Sequence, residues 1–73
     1  MKSIPLFATV ALTVDIPDQK LTRGQIGTVV EHLEREGEYA LLVEFSDDRG
    51  ETYAMADVPP DQVIVIHRRT EAA

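Results

Sequence analysis

Apolar and polar residues alternate along most of this chain, and that period of two is typical of half-buried β-strands. The clearest alternation lies in residues 38–46. One side of this segment carries Tyr39, Leu41, Val43 and Phe45, and the other carries Ala40, Leu42 and Glu44. We expect the first set to form the main wall of the core. Four more segments have strand-like patterns: residues 7–14, 25–33, 51–56 and 63–67.

Glycine and proline mark the breaks between these segments. Pro17 removes a ladder donor after the first strand, while Gly37 and Gly50 end the turns predicted at residues 34–37 and 47–50. The prolines of residues 59–62 forbid a continuing strand but permit one 3₁₀ turn. Gly27, inside the second strand, predicts a bulge or a close backbone approach.

Five short strands without a helical pattern predict an all-β fold. We expect a small five-stranded SH3-like barrel with one 3₁₀ turn before the last strand. The chain has 73 residues, which is enough for one domain. Residues 1–67 are expected to form that barrel domain, and residues 68–73 a flexible C-terminal tail.

Composition indicates an ordinary folded domain, with 44% hydrophobic and 27% charged residues. There is no cysteine, so disulfides and thiolate chemistry are excluded, and we expect a cytoplasmic protein. Residues 1–14 superficially resemble an export signal, but the alternation of Val10, Leu12 and Val14 favours a strand. No segment approaches the roughly 20 apolar residues of a membrane span.

The charge is strongly acidic and unevenly distributed. The net charge is −6, from 13 acidic and 7 basic side chains. Residues 31–61 hold ten acidic and two basic side chains, a local balance of −8. A negative electrostatic field disfavours the binding of nucleic acids and of anionic membranes. The acidity either keeps the domain soluble or forms a face that docks a basic partner protein.

Four segments carry a resemblance to a known family: residues 24–31 (GQIGTVVE), 42–45 (LVEF), 50–54 (GETYA) and 60–63 (PDQV). Together they resemble a family of short bacterial proteins, common in cyanobacteria, that is classified as a domain of unknown function. The likeness covers about residues 5–67 and implies no known activity. It implies a gene that often lies beside a second small gene, which suggests a paired system such as toxin and antitoxin.

Two further likenesses are weaker. Residues 24–30 resemble the glycine-punctuated strand of KOW-type barrels, which touch RNA or protein through basic loops that this chain lacks. At the level of fold alone, the chain is similar to accessory subunits of photosynthetic and electron-transfer complexes. Proline-motif recognition of the SH3 type is not expected, because there is no tryptophan and only two tyrosines.

Candidate chemistry is sparse. His32 and His67 lack visible catalytic partners, so we expect surface histidines. The acidic residues 47–51 lack the loop that specific Ca²⁺ sites use. Gly24 and Gly27 match neither the phosphate-loop nor the dinucleotide pattern. We therefore expect no enzymatic activity, no cofactor and no metal site.

The leading hypothesis is a barrel that binds a basic partner protein through its acidic face. The proposed partner-binding residues are five carboxylates for steering and one tyrosine as an anchor: Glu36, Glu38, Asp47, Asp48, Glu51 and Tyr53. If the partner is a small basic toxin, the protein would be its antitoxin.

Two alternatives stay open. One is a KOW-like nucleic-acid or ribosome-associated module that uses a local basic set: Lys20, Arg23, Arg68 and Arg69. The other is a structural subunit of a larger complex, or a homodimer that shares its small core.

Overall fold

The computed structural model describes residues 4–67, and these form an all-β fold. The five strands are β1 (Thr9–Leu12), β2 (Ile26–Arg35), β3 (Glu38–Ser46), β4 (Thr52–Val58) and β5 (Val63–Val65). Short 3₁₀ turns occupy Pro17–Gln19 and Pro60–Gln62. The predicted fold class and the 3₁₀ turn before the last strand are confirmed. The expected tail, residues 68–73, lies outside the described residues.

The strands form one antiparallel sheet in the order β4-β3-β2-β1-β5. The pairings found within residues 4–67 do not include a ladder between β4 and β5. The closure of an SH3-like barrel therefore stays a prediction.

Strand lengths follow from local backbone geometry. β1 begins later than the expected segment, because Phe7 takes a φ of 68° and interrupts the extended chain before it, and β1 also ends two residues earlier than expected, at Leu12. β2 is longer than expected and joins β3 through a two-residue turn at Glu36 and Gly37, whose φ angles are 52° and 82°. Both positive φ values match the strand twist, as in type I′ turns. Residues 34 and 35 were expected in the turn, but they belong to the ladder, in which Arg35 pairs with Glu38.

The core lies on one face of the sheet. Its buried residues come from every strand and from one loop: Val10, Leu12, Leu21, Val29, Leu41, Val43, Phe45, Ala56, Val58 and Val63. The predicted wall on β3 is confirmed for Leu41, Val43 and Phe45, which are fully buried. Tyr39 is half-buried and packs against the edge of this cluster.

The connection between β1 and β2 is folded back onto the core. Ile16 and Leu21 exchange two backbone hydrogen bonds, of 2.9 and 3.1 Å, and Leu21 is only 1% exposed. The Asp15 carboxylate accepts a 2.8 Å bond from the backbone N–H of Arg23. This connection therefore contributes a core side chain that strand periodicity does not reveal.

β2 and β3 approach each other closely at Gly27. An added Cβ would lie 2.6 Å from Val43 Cγ1, 2.9 Å from the Glu44 carbonyl oxygen and 3.0 Å from Phe45 Cδ1. The predicted close approach is thus confirmed. The bulge of β2 lies a few residues further on, where Val30 is the extra residue between the pairings of Val29 and Glu31.

Replacing Gly27 with alanine should destabilise the fold by about 2–3 kcal/mol, because the added methyl group overlaps backbone and core atoms. Urea unfolding would measure this change. Thr28→Ala, at the next position on the other face, is the matched control and should cost less than about 1 kcal/mol. Equal stability of the Gly27→Ala variant and the wild type would contradict the close approach.

Replacing Glu36 with asparagine should raise stability by about 0.5–1 kcal/mol, because asparagine tolerates a left-handed backbone better than glutamate does. The same substitution at Glu38, where the backbone is extended, should not stabilise the protein. Parallel urea titrations of the two variants compare the positions. A loss of stability at position 36 would argue against the type I′ turn.

Candidate functional site

The predicted partner-binding residues fall into two separate groups. Glu36 and Glu38 lie at the β2–β3 turn, whereas Asp47, Asp48, Glu51 and Tyr53 lie at or beside the β3–β4 turn. These turns are at opposite ends of β3, a strand of nine residues. At about 3.3 Å per residue the two groups are roughly 26 Å apart. The six residues therefore do not form one compact patch.

Asp47 organises the β3–β4 turn through its side chain. Its Oδ1 accepts hydrogen bonds from the backbone N–H groups of Arg49 and Glu51, at 2.9 and 3.0 Å. Its backbone carbonyl accepts a 3.0 Å bond from Gly50. Asp48 and Glu51 are exposed, and their carboxylates have no ion-pair partner within the described part of the chain. Asp47 is thus a turn residue, while Asp48 and Glu51 offer their charges to solvent.

Tyr53 lies at a bulge of β4. Phe45 pairs with Ala54 and Ser46 with Thr52, so Tyr53 is the extra residue between them. Its side chain is exposed, and its hydroxyl accepts a 2.9 Å hydrogen bond from Gln25 Nε2. This bond fixes an exposed aromatic ring beside the start of β2. We call the exposed residues Asp48, Glu51 and Tyr53 the turn patch.

The face of the sheet opposite the core carries exposed apolar side chains. We call it the outer face and define it by two adjacent rows of cross-strand partners. The first row is Ile64, Ala11 and Ile26, and the second is Thr9, Thr28, Glu44 and Met55. The two isoleucines and Met55 are 55%, 54% and 46% exposed, respectively.

Further carboxylates lie along the outer face. Leu42, two residues before Glu44 on β3, has two acidic cross-strand partners, Glu31 and Asp57. Arg35 approaches Asp57 with an Nη2–Oδ2 distance of 3.7 Å, and both side chains are solvent-accessible. These two residues help to line a shallow cleft of about 270 Å³. The outer face is therefore acidic as well as apolar.

Sequence reasoning missed Glu44 and the three exposed apolar residues of the outer face. The alternation in β3 already placed Glu44 opposite the core wall, and this was an available signal. The neighbours of Glu44 depend on the register of β2 and β4, which local patterns do not specify.

The remaining predicted features lie away from these surfaces. His32 Nε2 is 2.5 Å from the carbonyl oxygen of Ile4, and its ring centroid is 5.6 Å from that of Tyr39. Within residues 4–67 there is no group of three or more histidine or acidic side chains that could hold a metal ion. Lys20 and Arg23 lie in the connection from β1 to β2. Arg68 and Arg69, the other basic residues of the alternative hypothesis, are outside the described residues.

No helix in the described part of the chain has the length and apolar character to cross a membrane.

The fold and its surfaces define a small all-β domain with an acidic, partly apolar exterior. A family model matches residues 6–65, and its description is Domain of unknown function (DUF4926). The chain belongs to this family, which confirms the resemblance to a domain of unknown function. Comparison with curated proteins and with solved structures gives no match.

Replacing Asp47 with alanine should lower the free energy of unfolding by about 1 kcal/mol, because two backbone donors lose their acceptor. Asp47→Asn should retain most of the stability, since the amide oxygen can accept the same bonds. Asp48→Ala, at the neighbouring exposed carboxylate, is the control and should be nearly neutral. Chemical unfolding of the three variants tests this order, and equal losses at positions 47 and 48 would contradict it.

Proposed function

We propose that this protein is a non-enzymatic, cytoplasmic binding module that docks a basic partner protein through the turn patch. The observation that carries the proposal is an exposed, hydrogen-bonded tyrosine beside a turn with two exposed carboxylates, which have no ion-pair partner among residues 4–67. Tyrosine supplies a large contact area with little loss of side-chain freedom. The hydrogen bond from Gln25 reduces that loss further, because the ring is already oriented before a partner arrives.

The charge distribution supports a basic partner. The described residues carry twelve acidic and four basic side chains, and Asp48 and Glu51 project from the tip of a hairpin. Exposed carboxylates of this kind accelerate association with a basic surface and orient the encounter. Glu36 and Glu38, at the other end of β3, contribute to this field at long range and make no contact in the proposed complex.

The proposal extends to a paired system. If the partner is a small basic toxin, this protein would act as its antitoxin by covering a basic surface. A fold without cysteine needs no oxidising compartment, which supports the cytoplasm as the place of action.

The test begins with a tagged pull-down from native lysate at about 50 mM and about 500 mM salt. Bound proteins are identified by mass spectrometry, and nucleic acid is detected by absorbance ratio. The recovered partner is then titrated against two double variants with the same change in charge. Asp48→Lys with Glu51→Lys should weaken binding at low salt about tenfold or more and flatten its salt dependence. Glu36→Lys with Glu38→Lys, at the other end of β3, should weaken it less.

Three results would contradict the proposal. One is equal weakening by both double variants, which would indicate a general field effect. Another is unchanged affinity of the Asp48 and Glu51 variant at low salt. The third is recovery of RNA instead of a protein, which would support the KOW-like alternative. Tyr53→Ala provides an independent check, because loss of the anchor should weaken binding even at high salt.

A further inference from the structure

The exposed apolar residues of the outer face are aligned across the sheet. Ile64 and Ile26 are the direct cross-strand neighbours of Ala11, which is buried between them although it faces outward. Met55 ends the adjacent row on β4. Single exposed apolar side chains are common on protein surfaces, but several on one face of a sheet can form part of an interaction site.

The outer face lies beside the turn patch. The residue before Ile26 is Gln25, whose side chain donates the hydrogen bond to Tyr53. Met55 follows Tyr53 by two residues on the same strand. The tyrosine therefore lies between the exposed carboxylates of the turn and the apolar rows. Ile26 and Met55 are therefore the outer-face residues nearest along the chain to a partner on the turn patch.

The charges of the outer face indicate what could cover it. Glu44 lies in the row between Thr28 and Met55, and Glu31 and Asp57 flank the next β3 residue on this face. A second copy of the chain that docks by this face would place the same acidic side chains opposite Glu44, with a net charge of −6 on each molecule. Such contacts between like charges oppose a homodimer here. A cationic segment would instead neutralise Glu44 while its apolar side chains cover the isoleucines.

We propose that the outer face binds an amphipathic basic segment of the partner, in which apolar side chains are interspersed with lysine or arginine. This inference rests on the proposed function, because it names the chemistry of the same partner and adds the apolar half of the interface. Ile26, Met55 and Ile64 supply the apolar contact, and Glu44 accepts a cationic side chain among them.

Three synthetic peptides test the inference against the full chain labelled with ¹⁵N. One alternates leucine with lysine, the second serine with lysine, and the third leucine with glutamate. We expect the leucine–lysine peptide to bind about tenfold more tightly than the serine–lysine peptide, and the leucine–glutamate peptide to bind least. Amide shifts should move at Ile26, Met55 and Ile64.

Variants on the two faces give a matched comparison. Glu44→Lys should weaken binding of the leucine–lysine peptide about tenfold. Glu34→Lys carries the same change in charge, but Glu34 pairs with Tyr39 and so lies on the opposite face. Glu34→Lys should therefore leave the affinity for this peptide almost unchanged. Ile64→Ser tests the apolar contact, and its exposed position makes loss of folding unexpected. Preserved dispersion of the amide spectrum shows that each variant is folded.

The inference is overturned if both lysine peptides bind equally and shift only residues 48–53. That result would leave the proposed function standing, because the turn patch alone would then bind the basic partner. The inference is also overturned if none of the three peptides binds. Sedimentation that shows a dimer of the free protein which Ile64→Ser disrupts would overturn it too, because a second copy would then be the occupant.

Discussion

The close approach of β2 to β3 at Gly27 is the constraint on which the rest of the structure depends. Gly27 is the one residue of β2 that pairs with a core residue on both sides, Val10 on β1 and Phe45 on β3. Because it has no side chain, Val43 and Phe45 occupy the space where a Cβ would be. On the core side of Gly27 the space is therefore filled by side chains of β3, while the preceding residue, Ile26, lies on the outer face. The tight packing between β2 and β3 thus depends on the missing side chain at this position.

The sequence was informative wherever a local pattern determines the result. Alternation gave the bounds of β3 and its buried side, and consecutive prolines gave the last 3₁₀ turn. Features that depend on distant parts of the chain were not predictable. Leu21 is buried because the β1–β2 connection folds back, and Tyr53 is displaced by a bulge that no turn residue marks. The single-residue shift at Val30 likewise changes the partners of every later β2 residue.

The candidate site shows the same division between local and long-range information. The sequence shows an excess of carboxylates in the middle of the chain. Carboxylates that are close in sequence nevertheless have different roles in the fold. Asp47 uses a carboxylate oxygen to hold a turn, Asp57 faces Arg35, and Asp48 and Glu51 have no ion-pair partner within the described residues. The length of β3 separates the two hairpin ends, and the register places Glu44 between Thr28 and Met55. Counting charges identifies an acidic protein, whereas pairing and register identify which charges are available.

The unlike surroundings of the two tyrosines have an optical consequence. The chain contains no tryptophan, so its near-ultraviolet emission comes from Tyr39 and Tyr53 alone. The Tyr39 hydroxyl is buried, while the ring of Tyr53 stands in solvent beside the turn. A soluble quencher such as acrylamide therefore reaches mainly one of the two emitters. The part of the tyrosine emission that a quencher removes most readily thus reports on the surroundings of Tyr53.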